Sequence, residues 1–167
     1  MRRVAQLAFA SATVGALVLA VRQHADLPAR VATHFGSDGQ ANGWMARDSH
    51  TATQIGIIVF MGGLFAALAL WLPRVPDHFI NLPHRDYWLA PKRRAESLAW
   101  LASMLFWLGT ALQVFLAFIF REVAHANLVA APSVRLNSLW LQVSLFIVVV
   151  SLVITLLFRF RCPEGAR

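Results

Sequence analysis

Residues 139–158 read LWLQVSLFIVVVSLVITLLF, and fifteen of these twenty positions are Leu, Ile, Val or Phe. A helix needs about 20 mostly apolar residues to cross the hydrocarbon core of a bilayer. At roughly −0.3 to −0.6 kcal/mol each near a helix centre, these side chains outweigh Gln142, Ser144, Ser151 and Thr155. The stretch predicts a transmembrane helix. Three more windows follow the same rule: Val4 to Val21, Ile55 to Leu72, and Leu98 to Phe120. None of the four contains Asp, Glu, Lys, Arg or His. The expected fold is therefore an all-α integral membrane protein: one domain over 1–167, four helices in a bundle, an ordered outer loop over 22–54 and an inner loop over 73–97.

Composition agrees. Hydrophobic residues make up 58% of the 167 and charged residues 14%, with a mean hydropathy of +0.59. An ordinary soluble domain has roughly 45–50% and 25%. Too few polar groups remain to cover a water-soluble globule, which excludes a cytosolic domain and a disordered tail. The net charge of +7 does not point to nucleic acid, because the basic residues lie between apolar runs rather than on one soluble face. Anionic lipid head groups are the expected counter-charge. Cys162 is the single cysteine, so no intramolecular disulfide can form.

Arg2-Arg3 and Ala20 give the first window some features of a secretory signal, but its apolar run exceeds the usual 7–15 residues and it reads as a retained span. Lys and Arg then set orientation. With the N-terminus inside, ten of them fall on the inner side: Arg2, Arg3, Arg74, Arg85, Lys92, Arg93, Arg94, Arg159, Arg161 and Arg167. Five fall outside: Arg22, Arg30, Arg47, Arg121 and Arg135. Both termini are expected in the cytoplasm of a bacterial cell, with the chain in its inner membrane. Ala8, Ala12, Ala16 and Ala20, and Gly62-Gly63 with Ala66-Ala67, give two helices smooth faces for close approach. Bundle packing and a homo-oligomer seam both fit such faces.

The loops carry the remaining information. In the outer loop, Val31, Thr33 and Phe35 alternate with smaller or polar neighbours, a weak strand pattern. Asp38-Gly39 and Asn42-Gly43 are turn dipeptides. Phe35 and Trp44 supply apolar area to cap the bundle or sit at the interface. Thr51-x-x-Gln54 reads as a capping box opening the second helix. In the inner loop, Asn81-Leu82-Pro83 leads to Asp86-Tyr87-Trp88-Leu89-Ala90-Pro91-Lys92-Arg93-Arg94. Pro91 suits the first turn of the third span, Tyr87 and Trp88 the head-group zone, and Lys92, Arg93 and Arg94 anionic phosphates or a cytoplasmic partner.

The outer text Leu27-Pro28…Thr33-His34-Phe35-Gly36…Asp38-Gly39-x-x-Asn42-Gly43-Trp44 resembles the bacterial membrane family called domain of unknown function 1648. The inner-loop text resembles a segment of stand-alone members. The same domain forms the N-terminal part of SdpI-like toxin-immunity proteins, so the resemblance implies binding or signalling in toxin resistance. Gly36 stands where many relatives have Asn, and the additional spans of the longer immunity proteins are not in this chain. Together, the residues and the resemblance nominate His34, Phe35, Gly39, Gly43 and Trp44 outside, and Asn81, Pro83, Tyr87, Trp88, Pro91, Lys92, Arg93 and Arg94 inside, as binding residues for a protein or peptide partner.

No catalytic residue, cofactor or metal is nominated. His24, His34, His50 and His125 all fall on the outer side, and Glu122 and His125 share a helix face. Their spacing matches no zinc signature. Haem lacks a histidine inside any span. Ion-coupled transport lacks an ionisable group there, and Gln113 reads as a helix–helix hydrogen bonder. The alternative carried forward is a small metal-dependent membrane enzyme using His34, Glu122 and His125.

Overall fold

The absence of charge and of Pro through three apolar windows lets each continue as uninterrupted helix. The computed structural model describes residues 2–129 and 139–161. It contains α1 (Arg2–Asp26), β1 (Arg30–Phe35), β2 (Ala41–Ala46), α2 (Arg47–Trp71), α3 (Arg85–Trp88), α4 (Arg94–Leu128) and α5 (Leu139–Arg159). Short 3-10 turns at Leu72–Arg74 and Asp77–Phe79 follow α2. Among the described residues, three helical stretches are long and apolar enough to span a membrane: Arg2–Asp26, Arg47–Arg74 and Arg94–Leu128.

Packing centres on α4, which lies along both α1 and α2. At one level Ala5, Phe9, Ala69, Ala102 and Phe106 form a buried cluster, with the Phe9 and Phe106 rings 5.5 Å apart. Gly109 makes this approach feasible, since a Cβ there would meet Phe9 Cε2 at 2.6 Å. At the next level Ala16, Ala20, Ile58 and Phe120 are buried together. Ala16 and Ala20 therefore serve packing inside the bundle. Gln113, 1% exposed, donates from Nε2 to the Ile58 carbonyl at 3.0 Å. That is the interhelical bond its sequence position predicts.

Five expectations change. The chain is not all-α, because the outer loop folds into a two-stranded antiparallel sheet. That loop is also shorter than 22–54: α1 runs to Asp26 and α2 starts at Arg47, since charged residues can sit in helical ends that emerge from an apolar core. The capping box is not one. Thr51 and Gln54 lie a turn or more inside α2 and are buried. Pro91 precedes α4, standing in the turn where Arg93 and Arg94 both donate to the Ala90 carbonyl. Its missing N–H costs nothing there either. The third helix is also much longer than its apolar window, with Arg121, Glu122 and His125 inside it. Cys162, Arg135 and Arg167 lie outside the described residues.

Candidate functional site

The hairpin is built from its turn outward. Gly39 has φ 76°, a conformation that L side chains rarely adopt. Asp38 Oδ1 accepts the Gln40 amide at 3.0 Å, and Gly36 donates to the Gln40 carbonyl at 2.8 Å. The Asp-Gly dipeptide thus closes the turn as its chemistry predicts. Register is irregular between Ala32, His34 and Phe35, and this brings His34 opposite Gly43. A Cβ on residue 43 would lie 2.9 Å from His34 Cβ, so Gly43 gives the histidine its place. His34 Nδ1 then hydrogen-bonds Asn42 Oδ1 across the strands.

Burial is uneven over the hairpin. Val31 and Ala32 are fully buried, Val31 beside Leu27 and Ala124 of α4. His34, Asn42 and Trp44 are exposed, Trp44 at 49%. One side chain outside the hairpin sets this arrangement. Asn127, near the end of α4, accepts the Ala32 amide on Oδ1 at 2.7 Å and donates from Nδ2 to the Ala32 carbonyl at 3.0 Å. Its amide thus takes the place of a neighbouring strand. At the start of α2, Arg47 donates its amide to the Ala29 carbonyl at 3.0 Å and Nη1 to the Leu27 carbonyl at 3.3 Å.

Beneath the hairpin the α1 and α2 ends meet through polar groups. His24 Nδ1 lies 3.0 Å from Thr51 Oγ1, and its Nε2 lies 3.6 Å from Asp48. His50 and Gln54, one turn apart on α2, are 6% and 1% exposed. This polar layer separates the apolar cluster around Ala20 and Ile58 from the small one around Leu27 and Val31.

Residues 12–53 match the domain of unknown function DUF1648. No curated protein and no solved structure matches the chain. The DUF1648 segment is therefore a helix–hairpin–helix unit: the second half of α1, both strands, and the first turns of α2. Within it Gly43, His34 and Asn42 are tied to one another, while Gly39 donates its amide to the Gly36 carbonyl in the turn. Phe35 pairs with Ala41 near the turn. The decisive Asn127 lies outside the DUF1648 segment, and sequence reading missed it because a single Asn near a helix end is also the usual sign of a terminus.

The inner-loop candidates form a second, separate group at the opposite end of the bundle. Ile80, Leu82 and Leu89 are buried with Leu98 and Phe160. Trp88 Nε1 donates to the Phe160 carbonyl at 3.1 Å, and Ser97 Oγ donates to the Trp88 carbonyl at 2.9 Å. The Arg93 guanidinium sits 3.7 Å from the Tyr87 ring centroid while its Nε bonds the Tyr87 carbonyl. Arg94 is used inside the loop, to Asp77 at 2.8 Å and to the carbonyls of Val75 and Pro73. Lys92 and Pro91 are exposed, Pro83 is half-buried, and Asn81 borders a small polar recess with His78, Arg85 and Asp86. Ser97, Asp77 and Phe160 were not foreseen; their roles depend on contacts far away in sequence.

The enzyme alternative gains no geometry. Among the described residues no three His, Cys, Asp or Glu side chains gather to hold a metal ion. His34 is engaged with Asn42, and Glu122 is 3.1 Å from its neighbour Arg121.

Proposed function

We propose that this chain is a non-catalytic, multi-pass protein of the bacterial inner membrane whose hairpin end recognises a protein or peptide, in a role such as toxin resistance. The observation that carries this reading is the exposure of His34, Asn42 and Trp44 together on a hairpin that Asn127 fixes to the bundle. Trp supplies large apolar area with a polar edge and recurs at the centres of protein interfaces. A rigid support lowers the ordering cost of binding. In this reading α5 is a fourth span, since its 21 residues rise about 31 Å. Both termini then lie in the cytoplasm and the hairpin outside. The positive-residue imbalance, ten against five, supports that orientation.

A photo-reactive residue at Trp44 in the full chain, in intact membranes, tests the reading. It is expected to cross-link a proteinaceous partner, and the adduct should be lost with His34→Ala at unchanged protein level. Cross-linking to lipid alone would overturn it. For the role, cells lacking the chain should become more sensitive to a membrane-active peptide toxin. Wild type should restore resistance and Trp44→Ala should not.

A further inference from the structure

The end of the bundle opposite the hairpin carries a second recognition feature, independent of the first. α5 is anchored there through its C-terminal residues. Phe160 is fully buried between the edges of Trp88 and Trp100, whose ring centroids lie 5.5 and 5.2 Å away. Arg159 donates Nη2 to Glu96 Oε1 at 2.9 Å. Beside this anchor an open crevice of about 800 Å³ runs between α1, α4 and α5.

The walls of the crevice are graded. Its body is Ala99, Trp100, Ser103, Met104, Trp107 and Thr155, and its mouth is Arg2, Glu96 and Arg159. The two hydroxyls in the body are already used by their own helices. Ser103 Oγ donates to the Ala99 carbonyl at 2.9 Å and Thr155 Oγ1 to the Ser151 carbonyl at 2.7 Å. The body is therefore mostly apolar, its remaining donors being the indole N–H groups of Trp100 and Trp107, while the charges sit together at one end. From Glu96 to Trp107 the helix rises about 16 Å, close to half of the roughly 30 Å hydrocarbon core. That is the depth of one leaflet.

Charge narrows the occupant. Arg2 has no ion pair among the described residues. Arg159 gives one N–H to Glu96, and a guanidinium has five donors. Arg3 and Arg161 adjoin them in the chain. A soluble anion would use the mouth and leave the apolar body empty of purpose. A zwitterionic lipid would bring its own cation up to Arg2. We propose that the crevice binds one anionic phospholipid, its phosphate between Arg2 and Arg159 and one acyl chain along Trp100, Met104 and Trp107. Glu96 acts as a positioning residue, holding the Arg159 side chain toward the mouth.

The purified full chain, reconstituted with brominated phosphatidylglycerol or brominated phosphatidylcholine, tests this through tryptophan quenching. The fluorescence component removed by Trp100→Phe with Trp107→Phe isolates the crevice from the other tryptophans. A basic residue near the surface contributes about 1 kcal/mol toward an anionic lipid, which is about fivefold. Half-quenching of that component by the anionic lipid should come at an at least fivefold lower mole fraction than by the zwitterionic one. Arg2→Gln, which breaks no hydrogen bond or ion pair among the described residues, should raise the anionic half-point about fivefold and leave the zwitterionic one in place. Arg159→Gln should act in the same direction, and if it unfolds the chain Arg2→Gln alone decides. Equal half-points, an Arg2→Gln variant that quenches like wild type, or quenching that follows protein concentration and so reports a second copy in the crevice, would each overturn the proposal.

Discussion

Asn127 satisfies both backbone groups of a residue with no exposure at all, Ala32. Leaving a buried donor or acceptor without a partner costs about 1–3 kcal/mol. Asn127→Ala should therefore destabilise the hairpin end by about 2–3 kcal/mol, read as faster proteolysis at Ser37 in detergent while helical content stays constant. Unchanged cleavage would show that Ala32 finds other partners. The glycines make a paired test. Gly109→Ala sets a methyl 2.6 Å from Phe9 and 3.1 Å from Phe65, an overpacking expected to cost about 1–3 kcal/mol. At Gly63 nothing lies within 4 Å of the added Cβ. Gly63→Ala should be neutral or stabilising by up to about 1 kcal/mol, because alanine is the better helix former. Thermal unfolding of the two variants side by side checks the contrast.

At the scale of elements, apolar windows located the helices, but charge was a poor guide to where they stop. Arg47, Asp48 and His50 read as loop, yet they form the first turn of α2, because Arg47 folds back onto the Leu27 carbonyl and its amide is taken by Ala29. The alternation of Val31, Thr33 and Phe35 made β1 legible. β2 was not, since Ala41, Asn42 and Gly43 have no strand pattern and are held by cross-strand pairing instead. The turn residues were readable from Asp-Gly chemistry, whereas Asn127 and Phe160 act across 95 and 72 positions and leave no local trace. Gln113 was legible as a lone polar group in an apolar helix. The Ile58 carbonyl it meets already accepts its own helical bond. Gln113→Leu should accordingly cost no more than about 1 kcal/mol in detergent; a larger loss would assign the amide a stronger role.

For the whole molecule, the two loops occupy opposite ends of the bundle, and so do their tests. In a Cys162→Ala background, Ser37→Cys should react with a membrane-impermeant maleimide on intact cells. Lys92→Cys should react only after the membrane is opened. The reverse pattern would invert the proposed orientation while leaving the bundle intact. Helix α4, about 52 Å long by its 35 residues, joins the two ends: Asn127 grips the hairpin at one end, and Ser97 grips the inner loop near the other.

That grip sets a limit on transplantation. The segment that matches DUF1648 stops at residue 53, but its first strand is completed by a side chain at position 127 and buried against Ala124. Grafted onto a foreign helix pair, residues 12–53 would take their turn with them and leave their dock behind. A chimera that keeps this hairpin in shape needs an amide donor and acceptor, one small residue before it, on whatever helix replaces α4. The folding unit is therefore larger than the segment that matches DUF1648, and a minimal stable fragment should be sought as α1 through α4.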